Sequence, residues 1–338
     1  MHLPSPALLK SQLPLSNEAK QFIADTRKTI QQIFERQDPR LLIVVGPCSI
    51  HSASEGIQFA KQLKELAESV KDKCVLVMRA YIEKPRTKQG WKGLVHDPHL
   101  NGSDDLTAGL SMGRSFLLEL AKMQVPVATE FLTPHLAPYI EDLISWGCIG
   151  ARTSSSQVHR LLASLLSMPI SFKNSMDGNI ECAVNAVHVA RSPHTFMHIS
   201  EEGKLCQVQS SGNPYAHIVL RGSSFGTNFD QESVQTALTA LRREELPPRV
   251  MIDCSHGNCQ GKYFKQKEVF QSVLEQENSL IMGMMLESNL EAGTQKIPAQ
   301  LDELQRGVSV TDACLDFSST AELISSLAHS RSMSLTHS

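Results

Sequence analysis

Eight strand-length apolar runs recur along this chain: LLIVVG (41 to 46), CVLVM (74 to 78), VPVAT (125 to 129), CIGA (148 to 151), PISF (169 to 172), HIVL (217 to 220), RVMI (249 to 252) and LIMGMML (280 to 286). Continuous rather than alternating apolar character marks strands buried on both faces, the signature of a parallel sheet covered by helices. The intervening sequence has helical period. In SEGIQFAKQLKELAESV, Ile57, Ala60, Leu63 and Leu66 fall on one stripe, and Ser52 and Glu55 have the spacing of a capping box. Thr133-Pro134 reads as an N-cap with proline at the first helical position, and QVHRLLASLLS and QTALTALRREE read as further helices. Eight strand and helix units within 338 residues predict a (β/α)8 TIM barrel, an α/β fold whose pattern a doubly wound open sheet would share. Two stretches are additions to a barrel spanning 41 to 330. Residues 1 to 40 form an N-terminal extension with an extra helix, NEAKQFIADTRKTIQQIFERQ, and 195 to 212 read as an inserted β-hairpin turning at Glu202-Gly203. The Ser-rich stretch after Ser318 reads as a fraying tail.

Each run is succeeded by a polar or reactive side chain: in order Cys48, Arg79, Glu130, Arg152, Lys173, Arg221, His256 and Glu287. In a barrel the C-terminal strand ends share one mouth, so these side chains would converge. They fall into two groups. Cys48, His256 and Glu287, joined by Asp312 in VSVTDAC, make a thiol, an imidazole and two carboxylates, a donor set suited to a divalent transition metal. A buried core thiol and a histidine satisfied by backbone are the plainer readings of Cys48 and His256. Arg79, Lys84, Arg152, Lys173 and Arg221 are all cations, and gathering them at one mouth is unfavourable unless an anion fills it. The cation-rich segment LVMRAYIEKPRTKQGWK then becomes one wall of a phosphate and carboxylate site, with Pro85 stiffening the chain between Lys84 and Arg86.

Charge supports a small-molecule partner. With 32 basic against 35 acidic residues and 5% aromatics, nothing marks a nucleic-acid surface. The 8 Cys occur without CxxC pairs, as in a reducing cytosol, and no apolar run is long enough for export or membrane spanning, so a cytoplasmic location is expected.

The motifs GPCSIHS, MRAYIEKPRTKQGWKGL, IGARTSSSQVHR, SFKN, HIVLRG, DCSHGN, MLESNL and SVTDAC together resemble the microbial, class I type of 3-deoxy-D-arabino-heptulosonate 7-phosphate (DAHP) synthase, from about residue 15 to 316. The resemblance implies a (β/α)8 barrel. It also implies condensation of phosphoenolpyruvate with erythrose 4-phosphate and release of phosphate, the first step of the shikimate route. By position it makes Cys48, His256, Glu287 and Asp312 ligands of a divalent metal, which Mn, Fe, Co or Zn could supply. Arg79, Lys84, Glu130, Arg152, Lys173 and Arg221 match contacts to phosphoenolpyruvate, and Arg86 and Thr87 contacts to the sugar phosphate. Lys84, His256, Cys48 and Glu130 are the expected catalytic groups, with Lys84 and His256 interchangeable as proton carriers.

Residues 1 to 40 and the hairpin would then serve regulation by an aromatic amino acid, tyrosine ranked first, or assembly into a homodimer or homotetramer. The chain departs from the family pattern at Ser154 to Ser156, at Ser175-Met176 and in DFSS after Leu315. A sibling enzyme using a five-carbon sugar phosphate, 3-deoxy-octulosonate 8-phosphate synthase, fits the KPRT wording and the N-terminal extension less well. A non-catalytic regulatory barrel would have lost a metal ligand.

Overall fold

A computed structural model describes residues 2–86 and 88–329. In chain order the strands are β1 Leu41–Gly46, β2 Cys74–Arg79, β3 Val127–Glu130, β4 Trp146–Ile149, β5 Ile170–Lys173, β6 His194–Ile199, β7 Leu205–Ser210, β8 His217–Leu220, β9 Val250–Asp253 and β10 Ile281–Glu287. The helices are α1 Pro6–Gln12, α2 Asn17–Phe34, α3 Ala53–Val70, α4 Leu106–Lys122, α5 Ala137–Ile140, α6 Gln157–Leu165, α7 Ile180–Arg191, α8 Gln231–Arg243, α9 Gln266–Glu275 and α10 Phe317–Ser325. Eight strands close into a parallel barrel in the order β1-β10-β9-β8-β5-β4-β3-β2, while β6 and β7 pair antiparallel outside it. The barrel reading holds and the open sheet is excluded.

The barrel strands divide their apolar side chains between two cores, β5 alone adding none to the inner one. Leu41, Ile43 and Val45 of β1 face out and pack with Phe59, Ala60 and Leu63 of α3 in a large outer cluster. Leu42 and Val44 face in and join Val77, Ala128, Trp146, Cys148, Val219, Met251 and Met285. This is strand periodicity closed into a ring. Its consequence is chemical: the last inward position of a strand opens on the mouth, and there stand Arg79, Glu130, Lys173, Asp253 and Glu287.

The N-terminal extension does more than decorate. Ile30, Ile33 and Phe34 of α2 belong to the inner cluster and plug the end of the barrel opposite the mouth. Deleting all of residues 1 to 40 would therefore expose the inner core. The hairpin turns where expected, with Gly203 at φ 75, a left-handed conformation that glycine adopts without steric cost.

Local expectations were met in part. Ser52 Oγ accepts from Glu55 N at 3.4 Å, but Glu55 does not complete a capping box; its carboxylate accepts from Gly307 N at 3.0 Å instead. Pro134 is the first helical residue after Thr133, as expected, but it opens a 3-10 turn that runs into the short α5, and Thr133 makes no side-chain cap bond. The fourth strand begins at Trp146, two residues before the apolar run CIGA, because the buried indole N–H finds an acceptor in His217 Nε2 at 3.2 Å. The stretch after Ser318 is no tail as far as Ser325: Asp316 accepts from Ser319 N at 2.7 Å and starts α10.

His217 gives the fold a pH dependence. Its Nδ1 must donate to Tyr215 O at 2.9 Å while Nε2 accepts from Trp146, so a second ring proton would meet a donor head-on. Burial pushes its pKa down to about 4. The folded value lies below the ordinary 6.5, so this stabilisation is complete above that pH and is lost as pH falls from there toward 4. At about 1.4 kcal/mol per pH unit the loss totals about 3 kcal/mol. Urea unfolding at pH 7 and pH 4 should show wild type losing about that much more than His217→Gln; equal losses would contradict it.

Candidate active site

A cavity of about 680 Å³ opens at the C-terminal ends of the strands, lined by Arg79, Lys84, Glu130, Lys173, Arg221 and His256 among others. Arg79, 1% exposed, closes β2 with its guanidinium 3.6 Å from the centroid of the Tyr81 ring. Its Nη2 donates to Glu287 Oε1 at 2.9 Å and its Nε to Pro47 O at 3.2 Å. Glu130 is placed by what is missing opposite it: a Cβ on Gly150 would stand 2.1 Å from its Oε1. Arg221, buried after β8, has its pKa pushed down by burial; Asp253 opposes the shift and Arg152 adds to it.

Lys84 lies in the loop after β2, whose base is pinned by Lys84 N donating to Lys92 O at 2.9 Å. Its Nζ donates to Cys48 Sγ at 2.7 Å and to Asp312 Oδ2 at 3.1 Å. Burial opposes the Lys84 charge, but Cys48, Glu287 and Asp312 outweigh it and raise the pKa above the usual lysine value. Lys84 in turn is the main reason the Asp312 carboxyl sits well below the usual range.

Cys48 Sγ and one carboxylate oxygen each from Glu287 and Asp312 lie within 4.8 Å of one another. The fourth expected ligand borders this group: His256 Nε2 is 3.7 Å from Glu287 Oε1. A thiol, an imidazole and two carboxylates fit a divalent transition metal. Burial, then Glu287, pushes the Cys48 thiol up to about 12, so a metal bound there must displace its proton. His256 has left-handed backbone, φ 54, a conformation that non-glycine residues keep chiefly where surrounding structure enforces it.

A second cavity, about 900 Å³, adjoins the first and shares Lys84, Arg86, Lys88 and Arg152 with it. Arg86 and Arg152 are exposed on its walls. Thr87 lies outside the described residues.

The sequence model described as the DAHP synthetase I family matches residues 13–325. The chain belongs to this family. It is 45% identical over 325 residues to the Tyr-sensitive phospho-2-dehydro-3-deoxyheptonate aldolase of Escherichia coli (strain K12), covering 95% of this chain and 91% of that protein. Identity to the Trp-sensitive protein of the same strain is 42% over 329 residues, covering 96% and 94%. A solved phospho-2-dehydro-3-deoxyheptonate aldolase from Francisella tularensis SCHU S4 superposes with a TM-score of 0.95 at 41% identity, covering 97% of this chain and 96% of that one.

The departures from the DAHP synthetase I pattern have local answers. Ser154 is buried in the turn after β4, where its N donates to Gly150 O at 3.0 Å, and Ser156 Oγ meets His159 Nδ1 at 2.8 Å at the start of α6. Met176 lines the 680 Å³ cavity, while Ser175 bonds Asp177 at the approach to α7. One carboxylate at the mouth escaped the sequence reading. Asp253, 0% exposed, ends β9. Burial pushes its carboxyl up, but His256 and Lys173 outweigh this and hold it well below the usual range. Period-2 counting back from the mouth was the signal that could have found it.

Proposed function

We propose that the mouth joins phosphoenolpyruvate to D-erythrose 4-phosphate and water, giving DAHP and phosphate, with the phosphoenolpyruvate in the 680 Å³ cavity and the sugar phosphate toward Arg86. The observation that carries this reading is the pair of adjoining cation-lined cavities beside the Cys48, Glu287 and Asp312 group. Two phosphorylated anions repel one another strongly unless fixed cations surround both. Arg79, Lys173 and Arg221 supply charge to the inner cavity and Lys92 to the outer one, while Lys84, Arg86, Lys88 and Arg152 line both.

Cys48, His256, Glu287 and Asp312 would hold a divalent metal, which supplies Lewis acidity toward an aldehyde oxygen. The methylene carbon of phosphoenolpyruvate attacks the aldehyde carbon, and the new hydroxyl takes its proton from Lys84 Nζ. His256 is the weaker donor because its Nδ1 faces Ser255 Oγ at 2.7 Å and Asp253 Oδ2 at 2.9 Å, and its Nε2 would be taken up by the metal. Water adds to the middle carbon as Glu130 accepts its proton. Phosphate then departs with the former enol oxygen, leaving the ketone. With that bridging oxygen labelled as ¹⁸O, all the label should leave in phosphate; label retained in the seven-carbon product would contradict the scheme.

Control is assigned to the additions. Lys10 Nζ meets Glu201 Oε1 at 2.7 Å and Tyr139 Oη donates to Pro4 O at 2.6 Å, and residues 2 to 5, the hairpin tip and the α5 region line a cavity of about 570 Å³. His96 and Thr133 line both this cavity and the outer substrate cavity. An aromatic amino acid, tyrosine first, would bind there and favour a less active arrangement, with coupling of about 1 to 3 kcal/mol. Removing residues 1 to 12 should abolish tyrosine inhibition while sparing the α2 plug. If neither tyrosine, tryptophan nor phenylalanine inhibits the full chain, this assignment fails.

A further inference from the structure

Asp253 makes contacts that no other carboxylate at the mouth makes. Its Oδ2 accepts from Lys173 Nζ at 2.7 Å and lies 2.9 Å from His256 Nδ1. Its Oδ1 accepts from Ser255 Oγ at 2.5 Å and from Ser255 N at 3.0 Å, which fixes the carboxylate plane. The same residue's carbonyl accepts from Asn258 Nδ2 at 2.9 Å. Asp253 and Lys173 are 0% and 4% exposed, so neither can trade this partner for bulk water.

We propose that Asp253 is a positioning residue that ties the anion site to the metal site through one buried carboxylate. The inference rests on the reading of Lys173 as an anion ligand and His256 as a metal ligand. Toward Lys173, Oδ2 holds the ammonium at the mouth end of β5 and offsets its burial. Toward His256 the carboxylate acts at short range twice, with Oδ2 2.9 Å from Nδ1 and Oδ1 holding the Ser255 hydroxyl whose oxygen meets Nδ1 at 2.7 Å, which leaves Nε2 on the side of Glu287. Orientation of a ligating imidazole by a carboxylate of this kind is typically worth 10- to 100-fold in metal affinity. Asparagine in its place would turn its NH₂ either toward Lys173 and His256 or toward the Ser255 N–H, and in the second case would offer Lys173 only a neutral oxygen.

The test is a pair of titrations on the full chain: Mn²⁺ into chelator-treated protein, and phosphoenolpyruvate into the same metal-free protein. In Asp253→Asn, Mn²⁺ affinity should fall about 10- to 100-fold. Phosphoenolpyruvate affinity should fall about tenfold, and saturating Mn²⁺ should not restore it, a split that general loosening of the fold would not produce. Arg152→Met should weaken phosphoenolpyruvate alone, and Cys48→Ala the metal alone. If either reference variant leaves its own ligand unaffected, the underlying reading falls. If both behave as stated and folded Asp253→Asn keeps both affinities within about twofold, the inference is overturned. Should Asp253→Asn fail to fold, Ser255→Ala decides: weakening of both ligands by about threefold supports it, and no change overturns it.

Discussion

Cys48→Ala is expected to lower divalent-metal affinity by at least about 100-fold, and turnover with it. The thiol is fully buried, sits within 4.8 Å of Glu287 and Asp312 oxygens, and accepts from Lys84 at 2.7 Å. Alanine removes the sulfur without bringing in a polar atom, so the fold should survive a small cavity. Lys84 would remain beside Asp312, with nothing to replace the missing donor. Metal content after dialysis, measured with a thermal melt, checks this. A folded variant that retains a full equivalent of metal would contradict it.

Arg152→Met is expected to raise the Michaelis constant for phosphoenolpyruvate by about 10- to 100-fold, the cost of one charge-assisted contact to an anion. The residue follows β4, is exposed, and lines both cavities, so its removal opens no core. The melting temperature should stay within a few degrees. Lys173→Met is the less clean experiment, since it leaves Asp253 with a buried charge and one fewer partner. An unchanged Michaelis constant in Arg152→Met would remove it from the anion site.

The barrel was legible because strand periodicity and apolar runs survive in a parallel sheet buried on both faces. All eight runs predicted their strands to within about two residues, and the whole shift of CIGA falls at Trp146, whose ring nitrogen meets a long-range partner, His217. Cations at the strand ends were legible by charge alone. Asp253 was not, because a carboxylate just past RVMI looks like chain meeting water until the inward count places it against Lys173 and His256. The plug formed by Ile30, Ile33 and Phe34 was equally hidden, since helix amphipathicity says that a face is buried but not against what.

The central claim is that the mouth uses a four-carbon sugar phosphate as acceptor for phosphoenolpyruvate. It is tested most directly by phosphate release from phosphoenolpyruvate in the presence of Mn²⁺ and either erythrose 4-phosphate or arabinose 5-phosphate. Rapid release with erythrose 4-phosphate, abolished by chelator, and negligible release with arabinose 5-phosphate is the expected result. Equal or faster release with the five-carbon sugar, or release that needs no aldose, would contradict the account.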